Sequence, residues 1–259
     1  MKKLKFHQME TEMRKLFAAV LGLTISVLGF VSSNDVRAQD LPKPLPLERT
    51  LMPDQTAVIM IDFQNNFASP QGAFYSLFEN QFRDSHMIEN SLNLVKVARE
   101  LGILVIHVTE GYMNDYRELD MGNGGEFHRN AVLWQAFKSG SSGAELYAPI
   151  RGEKDIVLPD RKAMSAFGGN ALDYILKSRG IRNVAVGGFT ADVCVYATLL
   201  GGYDLGYRMY AMTDAVVSGD AALTKEMARF LYPYVSRPMP SGEFLAMFSP
   251  REGKTVVGK

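Results

Sequence analysis

A three-layer α/β/α fold is predicted, with helices on both faces of a mostly parallel sheet of about five or six strands. Three observations predict it. Short, continuously apolar runs recur at 56 to 61 (TAVIMI), 103 to 108 and 183 to 186, the pattern of strands buried on both faces. Stretches of helical period lie between them, and two of these stop at Gly102 and Gly180. Strand and helix then keep alternating to the strand 208 to 213 and the helix 221 to 232, which implies right-handed crossovers between parallel strands.

Taken in order, residues 39 to 54 hold four prolines and no sustained period, so they read as an extended linker. The first strand, 56 to 61, ends at Asp62, which places a carboxylate where open parallel sheets form their ligand crevices. Residues 68 to 85 are irregular and aromatic, with Phe74, Tyr75, Phe78 and Phe82. Apolar residues from Ile88 to Leu101 suit an amphipathic helix over 85 to 101. His107, inside the second strand, reads as a core histidine.

The segment 109 to 154, with clustered glycines and Trp134, is too long for a plain connection and reads as a lid or binding loop. The third strand, 155 to 159, is followed closely by Lys162, and a helix is expected over 169 to 179. After the strand 183 to 186, a helix bearing Cys194 begins near Ala191. Residues 234 to 248 carry an expected edge strand and short helix, with prolines consistent with an edge position. There is no internal repeat, and one domain is expected from 55 to 259.

The first 38 residues pose a different physical problem. Lys2, Lys3, Lys5, Arg14 and Lys15 precede a sixteen-residue apolar run from Leu16 to Val31, the layout of a signal peptide. The run is short against the roughly 20 residues of a spanning helix. Val36 and Ala38 are tolerable small residues for a cleavage site and place the expected cut after Ala38, and translation from Met13 preserves the same signal. No cysteine follows the signal to carry a lipid anchor, so the expected product is exported, periplasmic or secreted, without stable membrane association.

A net charge of zero, with basic clusters only at the N-terminus, argues against nucleic acid as a partner and favours a small molecule. Cys194 is the only cysteine, so no internal disulfide is possible. A free cysteine is commonly a small buried hydrophobe. At a strand-to-helix turn, however, backbone N–H groups can lower a thiol's pKa and cradle an oxyanion. The stretch by itself leaves both readings open.

The company Cys194 keeps favours the second. Asp62, Lys162 and Cys194 follow three different parallel strands, whose C-terminal ends share one edge of the sheet. Asp62 can accept the thiol proton, and Lys162 can stabilise the thiolate and hold Asp62 ionised.

Three stretches carry a resemblance: DFQNNF at 62 to 67, RKAMSAFGGNALDYILKSRGIRNVAVGGFTADVCVYAT at 161 to 198, and TDAVVS at 213 to 218. Together they resemble the isochorismatase-like cysteine hydrolases, a family including nicotinamidase, N-carbamoylsarcosine amidohydrolase and ureidoacrylate or biuret hydrolases. The resemblance implies a catalytic triad of Asp62, Lys162 and Cys194, and a thioester intermediate formed by attack on an amide carbonyl. It also implies an oxyanion hole from the N–H groups of Val193 and Cys194, and a cis peptide between Phe189 and Thr190. Gln64, Phe67, Trp134 and Phe167 are the expected substrate contacts.

Two departures bear on chemistry. Metal-binding nicotinamidases carry an Asp–x–His pattern after the second strand, where this chain reads His107-Val108-Thr109-Glu110-Gly111, so neither a metal nor another cofactor is expected. Asn66 stands where the family usually has an acid. The expected function is hydrolysis of a C–N bond in a small carboxamide or ureide, by an exported homo-oligomer. Vinyl-ether hydrolysis with Cys194 as a bystander, and a non-catalytic binding protein, are the alternatives.

Overall fold

The computed structural model describes residues 50–122 and 125–248. The predicted signal peptide and most of the predicted linker lie outside these residues. Within them, no helix is long and apolar enough to cross a membrane.

Six strands form one parallel sheet: β1 (Thr56–Ile61), β2 (Leu104–Glu110), β3 (Ile156–Arg161), β4 (Asn183–Phe189), β5 (Arg208–Val217) and β6 (Arg237–Met239). Their spatial order is β3-β2-β1-β4-β5-β6. The most apolar runs take the centre, and β1 and β4 are buried along their whole length. Leu51 lies in the predicted linker, yet it is buried and bridges Phe248 in parallel, so packing of the domain begins before residue 55.

Helices cover both faces. Helix α1 (Met87–Leu101) buries Met87, Leu94, Val95 and Ala98 against one face, and Gly102, in the left-handed region at φ 75°, ends it. Helix α2 (Glu126–Leu133) lies within the long 109–154 segment. Helices α3 (Leu172–Ser178) and α4 (Tyr196–Asp204) contribute Leu172, Leu176 and Leu199 to the opposite face.

The aromatic stretch expected to be irregular is partly helical, over Glu79–Ser85, and forms a packed wall. The Phe189 ring at the end of β4 stacks on Phe67 with centroids 5.0 Å apart, and Phe63, Phe78 and Phe82 surround it edge-on. His107 is fully buried in β2, with Nε2 2.9 Å from Asp155, and Arg99 reaches the same carboxylate at 2.6 Å. Against the cost of burial, those bonds and the Gly152 N–H hold the Asp155 carboxyl below its ordinary range.

Where β4 passes β1, Gly188 has φ 116°, and a Cβ there would stand 2.0 Å from the Ile61 carbonyl oxygen. Gly188→Ala is therefore expected to cost at least about 2 kcal/mol, read as a lowered urea midpoint, since neither backbone can yield without breaking the central ladder.

Candidate active site

Strand order reverses between β1 and β4, and in open α/β sheets the crevice at such a point receives the ligand. Asp62 stands on one side of it and Cys194 on the other. Asp62 follows β1 with φ 52°, a conformation aspartate tolerates better than most residues, and its N–H donates to Val108 O at 2.9 Å. Its Oδ1 accepts from the Glu110 N–H at 3.1 Å. Gln64 ties the same two strand ends: its amide oxygen accepts from Glu110 N at 3.0 Å, and its amide nitrogen donates to Glu110 O at 2.8 Å.

The cation beside Asp62 is Arg161, not Lys162. Arg161 Nη2 lies 2.5 Å from Asp62 Oδ2 and 2.7 Å from Glu110 Oε1, and all three side chains are fully buried. Nη1 of the same guanidinium donates to the Ala163 and Met164 carbonyls, which fixes its plane. Lys162 points elsewhere. Its side chain is 43% exposed, and Nζ donates to Gly111 O, lies 3.8 Å from Glu118 and sits over the Tyr112 ring.

The exchange has a backbone cause. β2 advances two residues from Val108 to Glu110 while β3 advances three from Leu158 to Arg161, a bulge in which Asp160 takes φ 61°. One extra residue shifts the alternation of side chains, so the guanidinium turns inward and the ammonium outward. The same extension makes Glu110 the last residue of β2 and brings it into the cluster. In the sequence, Glu110 stands out only within the run 107 to 111, and Arg161 only as the first residue of the stretch 161 to 198.

Cys194 lies in a π-helical turn, Ala191–Val195, that opens α4, and the preceding Phe189–Thr190 peptide bond is cis. Two hydroxyls tie this turn down: Thr198 Oγ1 donates to Cys194 O and Tyr232 OH to Ala191 O, each at 2.7 Å. The Asp62 carboxyl and Arg161 both stand close enough to the thiol to act on its ionisation. Sulfur and the nearest oxygens of Asp62 and Glu110 all lie within 4.8 Å of one another.

Burial dominates the electrostatics. It raises the Cys194 thiol well above its ordinary value, the Asp62 charge adds to that, and Arg161 opposes it. The lowered thiol pKa that a helix start can give is therefore not what this environment produces: burial favours the protonated sulfur. Burial likewise raises Asp62 against the pull of Arg161, and pushes Glu110 up to about 8.

The other predicted contacts have different surroundings. Gln64 is spent on the strand clamp, and Phe67 is enclosed by Phe74, Phe78, Phe137 and Phe189. Phe167 stacks on Tyr207 with centroids 5.6 Å apart, beside Gly202 of α4. Trp134 stays 38% exposed and packs edge-on against Phe74. Val193 N–H, one expected oxyanion donor, is directed at Thr190 O at 3.2 Å. Asn66 is buried, and its Oδ1 accepts from Ala73 N at 3.4 Å. Asp62, Glu110 and Cys194 are potential metal donors by type, but the guanidinium already sits against both carboxyls and supplies the positive charge that such a set would seek.

The three-layer fold is that of known cysteine hydrolases. A cysteine hydrolase from Pseudomonas syringae pv. phaseolicola superimposes with a TM-score of 0.67 at 21% identity, over 80% of this chain and 98% of that one. For N-carbamoylsarcosine amidase from Thermoplasma acidophilum the TM-score is 0.56 at 24% identity, over 72% and 96%. Residues 56–241 match the isochorismatase domain model, and the chain belongs to that family. Its relatives there include the ureidoacrylate amidohydrolase RutB of Acinetobacter baylyi, 30% identical over 175 residues that span 64% of this chain and 71% of the relative.

Removing the two neighbouring cations separates their roles. Arg161→Ala leaves two buried carboxyls without their counter-charge and is expected to cost about 3–5 kcal/mol. Lys162→Ala, at a solvated site, is expected to cost under about 1 kcal/mol. Urea unfolding of both variants checks the difference, and equal losses would contradict it.

Proposed function

We propose that this chain hydrolyses the C–N bond of a small carboxamide or ureide through a thioester on Cys194, with Asp62 as the base and Arg161 as the cation of the triad. The observation that carries the reading is the convergence of a buried thiol, a carboxyl and a guanidinium at the switch point of the sheet. Kinship with amidohydrolases supports the bond class.

In this reading the protonated thiol passes its proton to Asp62 as sulfur attacks the carbonyl carbon. Backbone N–H groups at the start of α4, with Cys194 N foremost, then face the oxyanion. Collapse of the tetrahedral adduct breaks the C–N bond, and Asp62 gives the proton to the departing nitrogen. Asp62 next takes a proton from water, whose oxygen attacks the thioester; the C–S bond breaks, and Asp62 returns that proton to sulfur as the acid leaves. Arg161 stays charged throughout, because a guanidinium does not give up its proton in proteins, and so acts only by charge and position.

The N-terminal signal pattern supports export to the periplasm or medium, and hence a substrate met outside the cytoplasm. Self-association into a homo-oligomer is carried on the family resemblance.

Intact-protein mass spectrometry with a panel of small amides and ureides tests the chemistry. A substrate-dependent acyl adduct is expected on the wild type and none on Cys194→Ala. Asp62→Asn is expected to lower turnover by about 10²–10⁴-fold, the range of a lost general base. Near-normal turnover by Cys194→Ala would contradict the assignment.

A further inference from the structure

Glu110 has no part in the steps above, yet it is fully buried and shares one guanidinium with Asp62. Charged and titratable groups face it on every side. Asp62 comes from the end of β1, Arg161 and Lys162 from the end of β3, and Cys194 from the turn after β4. Tyr112 comes from its own segment, with its hydroxyl 2.7 Å from Oε2. The His128 ring of α2 stands edge-on to Tyr112 with centroids 5.8 Å apart. Gln64 adds neutral contacts to its backbone.

Two carboxyls under one buried guanidinium carry a surplus negative charge unless one of them holds a proton. Glu110 Oε1 faces Arg161 without an aligned hydrogen bond, and Oε2 accepts from the Tyr112 hydroxyl, which leaves Oε1 as the position for a proton. We propose that Asp62 and Glu110 together hold one proton, resident on Glu110, and that Glu110 is a positioning residue whose neutral form leaves Arg161 free to serve Asp62 and Cys194. The inference rests on the thiol-hydrolase reading for its consequence in catalysis, but not for the proton itself.

The charges explain why the neutral form matters. With Glu110 protonated, transfer of the thiol proton to Asp62 leaves the guanidinium facing only the sulfur or oxyanion charge. With Glu110 ionised, the guanidinium is already matched and the new negative charge is uncompensated. Ionisation of Glu110 is pushed up to about 8, burial being the main cause. Activity is therefore expected to fall as pH rises through about 8, roughly tenfold per pH unit. Glu110→Gln, a neutral mimic of the protonated acid, is expected to keep neutral-pH activity within about threefold and to lose that alkaline limb.

Two measurements need no substrate. Infrared spectroscopy of the wild-type protein is expected to show a protonated-carboxyl C=O stretch at neutral pH that disappears with a midpoint near 8. The second is the urea midpoint of Glu110→Gln relative to the wild type. A raised folded pKa means the native state holds a proton that the unfolded state releases above about 4.3, so the wild type loses stability between there and about 8. The difference should widen in favour of Glu110→Gln over that window and be level above it.

No titrating carboxyl band in the wild type, or a stability difference flat from pH 5 to 8, would overturn the proposal. Should the variant fail to fold, the wild-type infrared titration still decides. Failure of every amide and ureide to turn over, with the band present, would overturn only the hydrolase reading.

Discussion

The Arg161 guanidinium is wedged between the carboxyls of Asp62 and Glu110, and the geometry of the whole crevice depends on it. Neither carboxyl is exposed to solvent, so each needs a counter-charge or a proton, and a planar cation with several donors can meet two at once. An ammonium is a point charge and would serve them less well. Because the partners sit at the ends of β1, β2 and β3, this one contact also fixes the upper edges of three strands against each other.

The same desolvation sets the chemistry of sulfur. Burial raises the pKa of the thiol, the Asp62 charge adds to that and Arg161 opposes it, so the helix start does not set its ionisation. The turn that carries it is held by hydroxyls from α4 and from the helix beginning at Tyr232, while the ring of Phe189, just before it, is gripped by the aromatic wall. Rigidity around Cys194 thus comes from packing on both faces of the sheet.

Most of the architecture was legible without coordinates. TAVIMI, the run before Gly187 and the helix ending at Gly102 each carry a strong local signal, either unbroken apolarity or a period with a stop, and each sits where that signal puts it. Strand ends were less legible. The expected strands stopped at 108, 159 and 213, whereas β2, β3 and β5 continue to Glu110, Arg161 and Val217. Polar residues at a strand's end look like loop in a sequence and become ladder only when a neighbouring strand pairs with them. The orientations of Phe67, Phe167 and Gln64 were illegible for a similar reason, since aromatic and amide side chains near a crevice do not reveal which way they point.

What the sequence determined by itself is the class of fold, the family, and the presence of Asp62 and Cys194 at the ends of two parallel strands. Those follow from local patterns and from the rule that parallel strands share a C-terminal edge. Only the tertiary structure decided between Arg161 and Lys162, and only it brought Glu110 into the cluster. Two adjacent cations are equivalent in a linear pattern. A single bulge at Asp160, defined by pairing between β2 and β3, moves one of them inside and the other to solvent, because side chains in a strand alternate and one added residue reverses the face.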